Sequence, residues 1–150
     1  YSFRVSKGKC SLNVHRKSKT KLKSKLKELT KRSNGWGYEK RKQKLNEYIR
    51  GWVGYFYLAE MKRLCIETDE WLRRRIRMCI WKSWKKTKTK VANLIRCGIE
   101  KCQAYQWGNT RKGYWRIADS VILKRAIPNI SLKVAGYPCL RDLYLEWNLK

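Results

Sequence analysis

Thirty-eight lysine and arginine residues face eleven acidic ones in this chain of 150 residues, a formal net charge of +27. A polypeptide that repels itself so strongly either stays an unfolded basic tail or folds and meets a polyanion. The apolar content decides between them: 43% of residues are hydrophobic, with eight Trp and nine Tyr, enough to build a core. Cations that neutralise phosphates release condensed counterions and gain affinity whatever the base sequence. A nucleic acid, foremost a large structured RNA, is therefore the expected partner of a basic helical surface.

The length allows one ordinary domain or two small ones. The chain starts at Tyr1 and enters an extended run at once, as a piece of a longer polypeptide would. Six cysteines (Cys10, Cys65, Cys79, Cys97, Cys102, Cys139) form no CxxC pair, and His15 is the single histidine. A zinc site needs four convergent ligands at characteristic spacings, so no metal is expected, and reduced structural thiols point to a reducing compartment. No apolar run approaches the roughly 18 residues of a membrane span, so no membrane partner is expected. Catalysis is not expected either, because phosphoryl transfer needs convergent carboxylates and a hydrolytic triad needs a placed histidine. The one acidic cluster, Glu67, Asp69 and Glu70, reads as a helix start with Thr68 as N-cap.

Hydrophobic periodicity makes the fold mainly α. Phe3, Val5 and Leu12 around Lys7-Gly8-Lys9 predict a short β-hairpin within residues 1–16. Residues 17–86 should form a three-helix bundle. Its first helix covers 18–33, with Leu22, Leu26 and Leu29 as a narrow stripe and Asn34-Gly35 as the stop. The second covers 38–63 around Tyr38, Leu45, Ile49, Trp52, Val53 and Phe56. Its Gly51 and Gly54 each cost about 1 kcal/mol relative to Ala, which invites close approach by a neighbouring helix or by an RNA backbone. The third runs from 69 to 84, with Leu72, Ile76, Cys79, Ile80 and Ser83 on one face. Residues 87–150 should form a small bundle of shorter helices, at 91–97, 99–106, 113–126, 129–135 and 140–147. In the helix at 113–126, Tyr114, Ile117, Ala118, Val121 and Ile122 should point inward. The charge lies early: residues 1–90 hold 28 basic and 7 acidic residues, against 10 and 4 in residues 91–150.

Candidate RNA-binding residues follow from that distribution. Lys19, Lys21, Lys23, Lys25 and Lys27 coat the first helix. Arg73, Arg74 and Arg77 lie opposite the stripe of the third, with Trp81 among them, and Lys82, Lys85, Lys86, Lys88 and Lys90 follow without an acid. Trp81 either stacks on an unpaired base or packs beneath the next subdomain under arginine stems. Arg111, Lys112 and Arg116 surround Gly113, Tyr114 and Trp115 at a loop-to-helix junction, a combination suited to bulged RNA or a phosphate. Glutamine at positions 73, 74 and 77 is expected to weaken RNA binding with the helix still folded.

Several segments in order resemble one family. They are residues 21–30 (KLKSKLKELT), Leu45-Asn46-Glu47-Tyr48-Ile49-Arg50-Gly51-Trp52 continuing to Tyr55-Phe56, residues 69–84 (DEWLRRRIRMCIWKSW), residues 111–117 (RKGYWRI) and Gly136-Tyr137-Pro138. Together they resemble the thumb and maturase-specific C-terminal region of group II intron-encoded reverse transcriptases. The resemblance implies that residues 1–16 end a palm, and that the three-helix bundle is a thumb gripping the template–primer duplex and intron RNA. Residues 87–150 would be a maturase and DNA-binding portion that also meets target DNA. The region would promote splicing, reverse transcription and intron mobility. The polymerase site, a Tyr-x-Asp-Asp type motif using Mg2+, would lie upstream in a fingers–palm domain of the same polypeptide, since no Asp-Asp pair occurs here. No cofactor is expected in this segment itself. The implied location is the bacterial cytoplasm, with an organelle as the alternative. The rival reading, from composition alone, is a stand-alone basic helical DNA-binding or architectural protein.

Overall fold

The computed structural model describes residues 1–149. It opens with an antiparallel hairpin of β1 (Ser2–Ser6) and β2 (Lys9–Asn13), in register from Ser2 opposite Asn13 to Ser6 opposite Lys9. Lys7 and Gly8 both take positive φ, 51° and 74°, the two-residue turn that matches strand twist. The helices that follow are α1 (Arg16–Leu29), α2 (Tyr38–Phe56), α3 (Lys62–Ser83), α4 (Thr87–Arg96), α5 (Lys101–Gly108), α6 (Tyr114–Ala118), α7 (Val121–Ala126), α8 (Asn129–Val134) and α9 (Leu140–Asn148). The fold is thus mainly α: a hairpin, three long helices, then a set of short ones.

α1 starts where the His15 imidazole accepts the Lys17 N–H at 3.2 Å. It buries Leu22, Leu26 and Leu29, as their spacing predicts, but ends four residues short of the expected stop. The reason lies on another helix. Arg75 of α3 donates to the Thr30 hydroxyl at 2.6 Å and to the carbonyls of Thr30 and Lys27 at 3.2 and 3.3 Å. The carbonyls left over at the helix end thus find a guanidinium instead of a further turn.

The break between α2 and α3 also differs from expectation. α2 stops at Phe56 and α3 begins at Lys62, so Thr68 caps nothing and Asp69 lies inside a helix. Residues 57–61 contain no Gly or Pro to announce the turn, which is held instead by burial of Ala59 and Met61 and by the Glu60 N–H bonded to the Leu12 carbonyl at 2.7 Å. Asp69 serves a different helix. Only 3% exposed, it accepts the backbone N–H groups of Leu140 and Arg141 at 2.8 and 2.9 Å and the Cys139 thiol at 3.2 Å. It therefore caps α9 from across the core. Burial pushes its carboxyl above the usual range, with the two amide donors pulling the other way.

Residues 113–126 form two helices where one is predicted. The Ser120 side chain accepts the Leu123 N–H at 3.3 Å and starts α7 afresh, which leaves Val121 71% exposed rather than inward. One contiguous hydrophobic core unites hairpin end, long helices and short helices. α3 runs through its centre, with α1 on one side and α6 and α9 on others, and α9 also lies along α2. At Gly54 the close neighbour is α9: a Cβ there would sit 3.2 Å from the Trp147 ring, whereas a Cβ on Gly51 would meet nothing outside its own helix within 4 Å among the described residues. Asn46 and Lys42 of α2 fix the same region, donating to the carbonyls of Gly136 and Ala135, each at 2.9 Å.

Candidate nucleic-acid interface

α1 turns its stripe of leucines inward and its lysines outward. Lys19, Lys21, Lys23 and Lys27 are exposed, while Lys25 is partly covered and pairs with Glu28 at 3.2 Å. Lys23 Nζ stands 5.5 Å from the Trp71 ring centroid, a cation–π contact that leaves the charge in solvent. Lys85, Lys86 and Lys88 are exposed where α3 gives way to α4. The two basic stretches meet. Lys82 Nζ donates to the Arg32 carbonyl at 2.7 Å, and the Arg32 guanidinium lies 5.0 Å from the Tyr114 ring centroid. Arg111 and Arg116 are exposed, and Lys112, also exposed, has its Nζ 5.1 Å from the Trp107 ring.

Other predicted site residues are turned to protein. Trp81 is 2% exposed and packed against Trp84 at 5.8 Å, so it belongs to the interior, and the half-buried Lys90 covers it with its Nζ 4.9 Å from the ring. Arg77 is 5% exposed and donates to the Ile127 carbonyl at 2.8 Å and to Asn129 Oδ1 at 2.7 Å. Burial, and then the neighbouring Arg73, push its guanidinium below the ordinary value. Arg74 donates twice to the Trp115 carbonyl, at 3.1 and 2.9 Å, and stacks 3.8 Å from that ring's centroid. The helical angle does place these residues opposite Leu72 and Ile76, but the chain from 114 to 129 covers that side. Their long side chains satisfy its backbone. Glutamine at 74 and 77 would therefore strip bonds that hold the later helices to α3, so a loss of RNA binding in the triple variant would mix lost charge with a loosened fold even with α3 itself still helical. Arg73 remains partly exposed.

A cleft of about 660 Å³ beside α3 gathers Trp71, Arg73, Arg74, Trp115 and Lys124, but Glu67, Glu70 and Asp119 line it too. Its mixed charge suits RNA less well than the lysine surface. Asp119 is bonded to Lys124 at 2.9 Å and lies 3.7 Å from Arg74. The Lys124 hydrogen bond, followed by Arg74, holds its carboxyl below the usual range. A depressed folded pKa contributes stability above the unfolded value near 4, and that contribution disappears as pH falls through the folded value. For so exposed a group the effect is below about 1 kcal/mol. Denaturation midpoints of wild type and Asp119→Asn should therefore differ slightly at pH 6 and converge near pH 2. A gap that persists in acid would assign it to lost hydrogen bonding rather than charge.

Arg32, Arg41 and Arg75 are among the basic residues absent from the candidates named above. Their signal is a cation on or beside an apolar stripe: Arg41 precedes Leu45 by one turn, and Arg75 precedes Cys79 likewise. Among the described residues no three or more His, Cys, Asp or Glu groups are placed to hold a metal ion. The six cysteines are free, and no described helix is long and apolar enough to cross a membrane.

The family model for the group II intron, maturase-specific domain matches residues 19–98, from early α1 to the turn after α4. No curated protein gives a significant match to the chain.

Proposed function

From a chain that belongs to the group II intron maturase-specific family, with a role in group II intron splicing and intron RNA as its partner, we propose direct binding of that RNA through the lysine surface of α1 and residues 82–88. One observation supports this most: five lysines of α1 (Lys17, Lys19, Lys21, Lys23 and Lys27) are exposed and have no acidic partner among the described residues, on a helix whose leucine stripe is fixed in the core. A row of unanswered cations on a rigid backbone is matched by phosphates at regular spacing. Arg111 and Lys112, in the loop before α6, and Arg116 on α6 extend the contact.

In the same reading α1, α2 and α3 act as a polymerase thumb on the template–primer duplex. Reverse transcription, with its Mg2+, belongs to an upstream fingers–palm domain that packs on the hairpin, where Phe3 and Val5 are exposed. The segment itself carries out no reaction, and its target-DNA contacts and bacterial cytoplasmic location complete the proposal.

The test is equilibrium binding of this chain to a folded group II intron RNA and to duplex DNA of equal length, over a salt series. Tighter binding to the intron RNA at every salt supports the proposal. Equal affinities that collapse alike with salt would leave only nonspecific phosphate attraction and favour a basic architectural DNA-binding protein.

A further inference from the structure

α2 begins without a capping side chain. Gly37 holds the N-cap position and makes no side-chain bond, and the first N–H groups of any helix lack intrahelical acceptors. One turn later an arginine occupies the core-facing line. Arg41, Leu45, Ile49 and Val53 follow one another at four-residue steps and are all buried. Arg41 is 5% exposed, and its Nε is buried without a hydrogen-bond partner among the described residues. A buried cation with an empty donor is unfavourable unless an anion answers it.

Both features open on one cleft. It measures about 570 Å³ and is lined by Arg32, Trp36, Tyr38, Arg41, Lys82 and Lys85, among others, with no acidic residue. Glu39, the acid in the first turn of α2, is absent from the lining and pairs with Lys42 at 2.5 Å. Lys82 is engaged with the Arg32 carbonyl, while Lys85 is exposed at the rim. The cleft lies between the end of α1 and the lysines at 85–88, so a strand following those lysines passes its mouth.

We propose that this cleft is a phosphate site, in which Arg41 and the leading amides of α2 hold one phosphodiester group of the RNA backbone. The source of the phosphate rests on the RNA reading above; the anion site does not. Helix N-termini favour anions through free N–H groups and the helix dipole, and a guanidinium adds a fork matched to phosphate oxygens.

Two variants of the whole chain test it. Arg41→Gln removes the guanidinium charge. Gly37→Asp builds a carboxylate into the cap, where a Cβ meets nothing within 4 Å, so the site carries its own anion. Melting temperature is measured in inorganic phosphate and in chloride at equal ionic strength. Wild type should melt higher in phosphate, and both variants should lose that increment. Against folded intron RNA, each variant should bind about tenfold more weakly at 0.1 M salt, with a salt slope shallower by about one.

Gly37→Asp should also raise the melting temperature in chloride, a gain in stability with a loss in binding that structural damage does not produce. If Arg41→Gln fails to fold, Gly37→Asp carries the test alone. Variants that keep both the wild-type slope and the phosphate increment overturn the proposal. Loss of the increment with an unchanged RNA slope makes this a site for free phosphate and overturns the RNA source. Wild type that binds no intron RNA defeats the functional reading, and the phosphate increment then decides the anion site by itself.

Discussion

Replacing Lys19, Lys21, Lys23 and Lys27 together by glutamine should weaken binding to intron RNA about a thousandfold at 0.1 M salt. The estimate is counterion release: each phosphate neutralised contributes about 0.7–0.9 to the slope of log affinity against log salt, so four lysines account for about three units. The fold should tolerate the change. All four side chains are exposed, glutamine is a good helix former, and the cation–π contact of Lys23 with Trp71 is an exposed one of roughly 0.5–1 kcal/mol. Salt-dependent binding reads the first effect and chemical denaturation the second. An unchanged slope would mean that this face of α1 looks toward protein in the working assembly.

Asp69→Ala should do the reverse, costing about 3 kcal/mol of stability, because hydrogen bonds to charged groups contribute about 1.5–3 kcal/mol and buried amides left unpaired are costly. The loss should be localised. The Leu140 and Arg141 amides and the Cys139 thiol lose their shared acceptor, so α9 should loosen first and proteolysis within residues 139–149 should accelerate. Asp69→Asn is the informative companion. It keeps one acceptor oxygen, and burial already disfavours the charged carboxylate, so its cost should be clearly smaller. Equal losses for the two variants would point to packing at the site rather than capping of α9.

Features governed by neighbours along the chain were legible in the sequence. The leucine stripe of α1 and the Lys7-Gly8 turn each depend on residues within one or two turns. The outward lysines of α1 were legible for the same reason. Features governed by partners far along the chain were not. Nothing local distinguishes Arg77, bonded to residues 127 and 129, from an arginine facing solvent. Asp69 looks like a first-turn acid until residues 140 and 141 are folded against it. Trp81, weighed between stacking on a base and packing, is decided by Trp84 and Lys90, which helical angle alone does not bring over its ring. Arg41 was missed because an apolar stripe is read by its apolar members, and a cation within it registers only as an interruption.

The span that carries the family signature closes at residue 98, yet the wall that completes α3 comes from later in the chain. Trp115 and Ile127 supply the carbonyls for its arginines, and the start of α9 supplies the donors for its aspartate. The signature is therefore shorter than the cooperative folding unit. A deletion that trims the chain to its recognisable part would expose the flank of its central helix and orphan its buried charges, so the loss it caused would measure collapse rather than splicing.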